Sequence, residues 1–401
     1  MFEFRPILNA LLRAKSGAIL LLLQIAITTA IVSNAAFIIN ERMNYLEQET
    51  GLPEQDLFRV TTMAFGSDID LAKQIELDET LLRNMSGVID AVHINAVPLS
   101  GGGSGGSYSI LPQGQVSTTV NASYFLADSH ALNTLGVELI AGRNFDETEM
   151  IVSTDDSATA KVALMTQAMH DEMFPDGNGL GKIIYRDSSP VKVIGIIKLM
   201  KGPWLKDQRR DRSLIFPQVR PRTFQKFVIR TEPNERAAVM ARIEDALLTE
   251  YPHRVVTSVI GLDELKARYV AEDTLMVRML MVLITVLVLI TALGIFGLTL
   301  FNINKRLKQI GTRRALGARK SAIIRYFLVE NALICSVGVA VGSFGAIGVG
   351  NKLMALYSVP ALSTSYVVTT SLLVIVMSLL AVIGPAKRAA DISPSIATRS
   401  I

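Results

Sequence analysis

Two glycine-rich segments contain the residue types of catalytic or phosphate-binding loops. Residues 102–106 read Gly-Gly-Ser-Gly-Gly and formally match the G-x-S-x-G nucleophile elbow, with Ser104 as the nucleophile. An elbow needs a strand before the serine and a helix directly after it, whereas further serines and a proline follow here. Residues 177–182 (GNGLGK) resemble a phosphate loop, but the spacing is one residue short and Ile183 replaces the required Ser or Thr. We therefore expect a flexible loop at the first segment and a turn at the second.

The histidines offer no metal site. His93, His130, His170 and His253 show no spacing typical of metal ligands. No Walker motif occurs in the 401 residues. We therefore expect no catalytic residue and no cofactor bound by this chain, and any ATP that energises it would bind a partner.

Residues 302–325 form a basic segment between two apolar runs. Eight of its side chains are basic and none is acidic: Lys305, Arg306, Lys308, Arg313, Arg314, Arg319, Lys320 and Arg325. Short basic loops are held on the cytoplasmic side of a membrane, so this segment is predicted to face the cytoplasm. Gly311 and Gly317 allow sharp changes of direction from which two arginines would project. Docking in an acidic groove and binding of anionic lipid headgroups are both open.

Four apolar runs are long enough to span a membrane, since about 20 residues cover a hydrocarbon core about 30 Å thick. They are residues 16–40, 279–304, 331–351 and part of 353–386. With the basic segment inside, both termini are predicted to be cytoplasmic. The predicted domains are residues 1–40, an extracytoplasmic domain at 41–273, and residues 274–401 with three spans.

The charge distribution supports this division. Residues 41–273 carry 24 basic and 33 acidic side chains, a net charge of −9, and the remainder carries 16 basic and 3 acidic, a net charge of +13. The basic excess therefore lies near the inner membrane face, which favours contact with membrane lipids and argues against nucleic acid as a partner.

The first span is predicted to be an uncleaved anchor. Its apolar run of 25 residues exceeds the about 7–15 residues of a signal-peptide core, although a cleaved signal peptide is the alternative. Residues 2–12 are predicted to form an interfacial helix or an early start of the span. The one cysteine, Cys335, lies in the third span, so the extracytoplasmic domain must be held by its core.

Small and acidic residues mark the spans. Pairs of glycines place small residues on helix faces and predict close helix pairing, within the chain or across a dimer. These glycines are Gly338, Gly342, Gly294 and Gly297. Glu330 is a carboxylate at the edge of the third span and is either functional or a charge neighbour of Arg325.

The extracytoplasmic domain has a mixed α/β pattern. Strand–helix–strand patterns occur at residues 58–63, 71–85 and 91–99, and again at 227–230, 235–251 and 255–260. The two units are predicted to pair into one lobe, with the intervening residues forming an inserted lobe. Residues 262–278 are predicted to be helical and to run into the second span, so that a continuous helix would transmit motion.

A family resemblance rests on several of these segments. Residues 309–318 (QIGTRRALGA) and 323–330 (IIRYFLVE), with the glycines that follow, resemble the loop-and-span signature of the FtsX-like permease family. Residues 385–394 are similar to the family's ending. Residues 135–145 (LGVELIAGRNF) and 162–197 resemble the MacB-type periplasmic core domain. The resemblance covers nearly the whole chain.

The resemblance implies an α-helical membrane protein with four spans and a large α/β domain that has a porter-like lobe and an inserted second lobe. It implies the permease subunit of a mechanotransmission-type ABC transporter in the inner membrane, paired with a second copy or a paralogue and with a separate cytoplasmic ABC ATPase. A periplasmic adaptor and an outer-membrane channel are further candidate partners. The implied ATPase-coupling residues are Gln309, Gly311, Arg313, Arg314, Leu316 and Gly317. Gln309 departs from the family, which commonly has Glu there, and this departure is compatible with one half of a heterodimer.

Other functions are open on the sequence. An FtsX-like scaffold that regulates a cell-wall hydrolase would need only a small binding lobe, so the large domain favours export or extraction of a substrate, including lipoprotein release. A membrane-anchored hydrolase that uses Ser104 is a third hypothesis.

Overall fold

The computed structural model describes residues 15–66, 69–112, 115, 119–155, 158–357 and 361–393. The predicted interfacial helix at residues 2–12 lies outside these ranges. The chain divides into two compact units. The α/β unit is Tyr45–Glu272, and the helical unit is Met1–Asn44 together with Asp273–Ile401.

The described elements alternate between helices and strands. In chain order they are α1 (Lys15–Leu46), β1 (Leu57–Ala64), α2 (Leu71–Arg83), β2 (Val88–His93), β3 (Ser104–Ser109), β4 (Thr119–Ala127), α3 (Ala131–Leu135), β5 (Leu139–Gly142), a 3-10 turn (Glu147–Glu149), β6 (Ile151–Val152), β7 (Val162–Thr166), α4 (Gln167–Met173), β8 (Ile183–Arg186), β9 (Ser189–Ile197), β10 (Ser213–Val219), β11 (Phe224–Thr231), α5 (Arg236–Glu250), β12 (Arg254–Gly261), α6 (Leu262–Tyr269), α7 (Ala271–Lys305), α8 (Leu307–Ala315), α9 (Lys320–Tyr357) and α10 (Thr364–Ala390).

One lobe of the α/β unit, the sheet lobe, is an antiparallel sheet of order β12-β1-β11-β2. Strands from the two ends of the domain therefore alternate in one sheet, as the sequence predicted. Apolar side chains at alternate positions of β1 and β11 face α2 and α5, because successive side chains of a strand point to opposite faces. This core includes Phe58, Val60, Ile75, Leu82, Phe227, Ile229, Val239, Ile243 and Leu247.

The second lobe, the barrel lobe, lies between β2 and β11 in the chain. Its strands follow the order β4-β3-β8-β9-β7-β10, and β10 pairs back with β4 to close the ring. Closure leaves these six strands without a free edge. The interior is filled by apolar and aromatic side chains, with the rings of Tyr108 and Phe216 stacked at 6.4 Å between centroids.

The glycine–serine segment is ordered, which corrects the prediction of a flexible loop. Ser104 begins β3, which pairs with both β4 and β8. Glycine is required nearby because a Cβ at Gly103 would lie 2.3 Å from a side-chain atom of Pro203. No helix follows Ser104, so the nucleophile elbow is not formed. The segment at residues 177–182 lies in turns between α4 and β8, as predicted.

The two lobes share an apolar core and a polar cluster. Leu57 and Val92 of the sheet lobe belong to the same core as Phe125 and Ile215 of the barrel lobe. The whole α/β unit therefore has a continuous interior that does not depend on a disulfide.

The polar cluster at this boundary, the boundary cluster, centres on Arg83 of α2. Its guanidinium lies 2.7 Å from Asp128, 3.4 Å from Asp90 and 3.4 Å from Glu79. His130 Nδ1 contacts Asp90 at 2.9 Å. Carboxylates from α2, β2 and the loop after β4 thus lie around Arg83, and Asp90 also contacts His130.

Two element predictions in this unit need correction. The strand expected at residues 91–99 is β2, which begins at Val88 and ends at His93. The helix expected at residues 262–278 is broken, since α6 ends at Tyr269 and α7 begins at Ala271, with Val270 between them. A single continuous helix is therefore absent here.

Among the residues that the structure describes, four apolar helices are long enough to span a membrane: Gly17–Leu46, Ala271–Lys305, Lys320–Ala355 and Thr364–Ala390. Each of the four predicted spans lies within one of them. Polar side chains form hydrogen bonds between these helices, which is one way in which membrane-spanning helices associate in lipid.

The polar contacts show which helices are neighbours. Thr28 of α1 lies 2.8 Å from Thr291 of α7 between hydroxyl oxygens. Asn34 of α1 donates to the carbonyl of Ala346 in α9 at 3.0 Å. Helix α9 also packs on α10, where Asn331 donates to the Ser378 hydroxyl.

The predicted packing glycines of α9 serve a contact within the chain. A Cβ at Gly338 would lie 2.9 Å from Ile25, and a Cβ at Gly342 would lie 2.6 Å from the Ala26 carbonyl oxygen, both in α1. On α7, Gly294 faces the Gln24 side chain of α1, whereas a Cβ at Gly297 would have no neighbour within 4 Å.

Candidate coupling site

The basic segment folds as a helix–corner–helix–turn. Helix α7 ends at Lys305, α8 runs from Leu307 to Ala315, and α9 begins at Lys320. Arg306 is the single residue between α7 and α8, and its backbone (φ −108°, ψ 15°) breaks the helix. The change of direction was expected at Gly311, but Gly311 is buried inside α8, so that expectation is corrected.

Arg306 also carries the main ionic contact of the segment. Its Nη1 donates to both carboxylate oxygens of Glu330 at 3.1 and 3.0 Å, and lies 3.3 Å from the Tyr326 hydroxyl. The Glu330 side chain is 8% exposed and that of Arg306 is 18% exposed. The partner of Glu330 is therefore Arg306, at the corner between α7 and α8, and not Arg325 as proposed from spacing.

The two arginines singled out in the sequence are positioned differently. The guanidinium of Arg313 lies over the Tyr326 ring, 5.2 Å from its centroid. Arg314 Nη1 donates to the carbonyl of Ala318 at 2.9 Å and thereby closes the turn after α8. Gly317 in that turn has φ of +90°, a conformation that favours glycine and confirms the expected change of direction there.

The outer surface of this segment combines charge with one apolar side chain. Ile310 points inward and is buried with Ile323 and Phe327 of α9. Gln309 and Arg313 are exposed, and Leu316 at the turn is 83% exposed. A large apolar side chain so exposed beside basic groups is a candidate contact for a protein partner.

A second ion pair joins the ends of α9 and α10. Lys320 Nζ lies 2.5 Å from Asp391 Oδ1, with both side chains more than half exposed. The hydrogen bond from Lys320 lowers the pKa of Asp391. Because the pair is exposed, solvent screens it and its contribution to stability is small.

The enzymatic candidates are not brought together. Ser104 and His170 lie in separate elements of the barrel lobe, whereas His93 is in β2, where burial lowers the pKa of its imidazole to about 4. In the part of the chain that the structure describes, no group of three or more His, Cys, Asp or Glu side chains is placed to hold a metal.

Sequence reasoning missed Arg306, Tyr326 and Asp391. The sequence did contain a signal for the acidic partners, because acidic side chains are rare outside residues 41–273. Three occur there, and two of them, Glu330 and Asp391, pair with basic residues of this segment. An isolated carboxylate in a basic region predicts an ion pair, but the sequence does not identify the partner.

Two family models match most of the chain. The FtsX-like permease C-terminal model matches residues 281–394, which include α8 and both carboxylates of the site, Glu330 and Asp391. The MacB-like periplasmic core domain model matches residues 18–246, more than half of the chain.

Curated relatives are similar at lower coverage. The macrolide export ATP-binding/permease protein MacB of Neisseria meningitidis is 29% identical over 251 residues, which cover 58% of this chain and 35% of the relative. The MacB 2 protein of Yersinia pestis is 24% identical, over 70% of this chain and 43% of the relative. The uncharacterized ABC transporter permease YvrN of Bacillus subtilis is 22% identical, over 60% of this chain and 61% of the relative. The chain thus spans about a third of the length of the MacB relative from Neisseria.

Solved structures include the periplasmic region of MacB from Actinobacillus actinomycetemcomitans, at 16% identity and a TM-score of 0.35 over 56% of this chain and 97% of that one. The extracellular domain of the ABC-type transporter YknZ gives 14% identity and a TM-score of 0.32, over 50% of this chain and 100% of that one. With both scores below 0.5, the assignment depends on the family models.

Four apolar helices, with a large two-lobed α/β domain between the first and the second, define a permease of the ABC transporter class in the inner membrane. The chain belongs to the MacB-like and FtsX-like permease family. Its α/β unit is the periplasmic domain of that family.

Proposed function

We propose that the chain is the permease subunit of a mechanotransmission-type ABC transporter. A separate cytoplasmic ATPase subunit binds ATP and docks on the exposed face of α8 and its turn. This docking moves the periplasmic domain, which exports or extracts a substrate from the periplasmic side.

The observation that carries the proposal is the exposed surface of Gln309, Arg313 and Leu316 on a short helix held between two spans. The helix is anchored from inside by Ile310 and lies within the FtsX-like match. An element so anchored can transfer a push from a soluble partner to two membrane helices at once.

The proposed assembly contains further partners. A second permease copy or a paralogue completes a dimer, both termini lie in the cytoplasm, and a periplasmic adaptor and an outer-membrane channel are candidates for continuing the path. A scaffold that regulates a cell-wall hydrolase is less well supported, because the periplasmic domain has two complete lobes.

The test is co-purification from native membranes in mild detergent. Arg313→Glu with Arg314→Glu is expected to remove the ATPase subunit from the purified complex by at least tenfold, because both cations of the docking surface become anions. Leu316→Asp tests the same surface without touching the turn hydrogen bond of Arg314, and is expected to give the same loss.

A matched control makes the same change in net charge as the double arginine variant, but at a different surface. Lys182→Glu with Lys192→Glu alters two exposed lysines of the barrel lobe and should leave the ATPase bound. Retention of the ATPase by both surface variants, or its loss in the control, would contradict the proposed docking surface.

A further inference from the structure

The corner between α7 and α8 is tied to a third helix by a buried ion pair. Arg306 occupies the corner, and its guanidinium reaches Glu330, which lies 24 positions further along the chain in α9. Both carboxylate oxygens of Glu330 accept hydrogen bonds from Nη1 of Arg306. The Tyr326 hydroxyl oxygen also lies within hydrogen-bonding distance of this nitrogen. The end of α7, the start of α8 and the first part of α9 therefore meet at the guanidinium of Arg306.

Burial makes each charge of this ion pair depend on the other. Glu330 is 6% exposed as a residue, so its charge is separated from water and depends on the arginine. Removing one partner of a buried ion pair is strongly destabilising, because the other charge is left without compensation. The exposed Lys320–Asp391 pair lacks this property, since solvent can replace either partner.

The remaining attachment of α8 is small. Its buried residues are Ile310 and Gly311, and its other residues are partly or fully exposed. A helix of nine residues is marginal on its own. The orientation of α8 therefore depends on the packing of Ile310, on the contacts of Arg313 and Arg314, and on the ion pair at its first end.

We propose that Arg306, Glu330 and Tyr326 form a latch that holds α8 in one orientation on α9, so that α7, α8 and α9 respond to the docked ATPase as one rigid body. The three are positioning residues, because none of them contacts ATP. Tyr326 adds a second connection, since its ring also carries the guanidinium of Arg313. The role of the latch in coupling rests on the proposed function. Its structural effect on α8 can be measured on the permease alone.

The first experiment measures hydrogen–deuterium exchange of the backbone amides of Leu307–Ala315 in the purified full chain in detergent. Glu330→Gln is expected to accelerate this exchange about tenfold or more, because α8 loses the attachment at its start. Arg306→Lys keeps the charge and should change the exchange less than threefold. Arg306→Glu combined with Glu330→Arg should restore most of the protection.

Two controls separate the latch from general destabilisation. Asp391→Asn breaks the exposed pair near the same helices and should leave the exchange of α8 within twofold of the parent protein. If Glu330→Gln is not monodisperse on gel filtration, Arg306→Gln is used instead, since a carboxyl left without a cation can be neutralised by a proton.

The second experiment uses the complex with its co-purified ATPase. Breaking the latch is expected to lower kcat for ATP at least threefold with KM for ATP unchanged, because ATP binding belongs to the partner and only the response of the permease is affected. The charge-swapped pair should recover kcat together with the protection of α8.

The outcomes distinguish the latch from the docking surface. Exchange of α8 in Glu330→Gln within twofold of the parent protein overturns the latch, whichever ATPase binds. Faster exchange with kcat unchanged overturns its role in coupling. If no ATPase co-purifies with the parent protein, the proposed docking fails, while the exchange data still decide whether the latch exists.

Discussion

Glu79 of α2 shows how burial sets the charge state of a single side chain. Burial and the carboxylates of Asp128 and Asp90 raise its pKa to about 8, although Arg83 acts in the opposite direction. Its Oε1 accepts the backbone N–H of His93 at 2.6 Å. Arg83 is the cation that faces this carboxyl, at 3.4 Å. The neutral form of Glu79 therefore contributes to the boundary between the lobes.

A pH dependence of stability follows from this shift. The folded-state pKa lies above the ordinary value of 4.5, so the folded state holds the proton more tightly than the unfolded state. The resulting stability is complete below about pH 4.5 and is lost as the pH rises through about 8. We expect a loss on the order of 2–4 kcal/mol in the free energy of unfolding of the α/β unit between those limits.

Glu79→Gln should remove this slope and keep the acceptor for the His93 amide. Unfolding is followed by the fluorescence of Trp204, which is the one tryptophan of the chain and belongs to this unit. Glu76→Gln, at an exposed position of the same helix, is the control and should keep the slope of the parent protein. An unchanged slope in Glu79→Gln would show that another group is responsible.

Helix α9 packs closely against a neighbouring helix at some of its glycines and is open at others. Gly338 and Gly342 lie against α1, with close distances to its backbone, whereas Gly348 has no neighbour that a Cβ would meet within 4 Å. Small residues allow backbones to approach where apolar burial supplies no driving force in lipid.

Gly342→Leu should therefore destabilise the helical unit, because its Cβ alone would lie 2.6 Å from the carbonyl oxygen of Ala26. Overpacking of this kind costs about 1–3 kcal/mol or prevents folding. The measurement is the temperature at which half of the detergent-solubilised protein leaves the monodisperse gel-filtration peak. Gly348→Leu is the matched control on the same helix, and an equal loss in both variants would contradict the assigned packing.

Elements with strong periodicity were predictable and those set by distant pairing were not. β1, α2 and α5 follow from apolar spacing, and the pairing of the two units into one lobe follows from the repeated strand–helix–strand pattern. β3 consists of Gly, Ser and Tyr and becomes a strand only because β4 and β8 pair with it. A barrel closed by long-range pairing leaves no such local signal.

The site was predictable in its location and not in its contacts. Eight basic residues without an acid identified the segment, and Gly317 identified one turn. The break at Arg306 has no glycine or proline from which it could be predicted, and Glu330 pairs with this residue, which lies outside its own helix. The sequence favoured Arg325 as the neighbour of Glu330 because the two are five positions apart on one helix. The sequence does not show that the end of α7 approaches Glu330.

For the molecule as a whole, the orientation in the membrane is the property on which the proposed coupling depends. The positive-inside bias predicts the α8 turn in the cytoplasm and the α/β unit in the periplasm. In a Cys335→Ser background, Leu316→Cys should react with a membrane-impermeant maleimide only after the inner membrane is permeabilised. Val152→Cys, which is 58% exposed in β6, should react in intact spheroplasts.

The reverse labelling pattern would exclude a cytoplasmic ATPase as the partner of α8. The parent cysteine is buried in α9 and is replaced so that any signal comes from the introduced thiols. Both introduced positions are exposed, so a failure to react reflects the side of the membrane and not the packing of the residue.

The interleaved sheet lobe also constrains how the chain is made. β1 and β2 leave the translocation channel early, but their neighbours β11 and β12 follow only after residues 94–223 have been synthesised. The barrel strands are consecutive in that interval, so the barrel can complete its ring while β1 and β2 are still without their partner strands. A nascent chain stalled before residue 224 would thus present a finished barrel beside two unsheltered strands, a substrate for periplasmic chaperones and proteases.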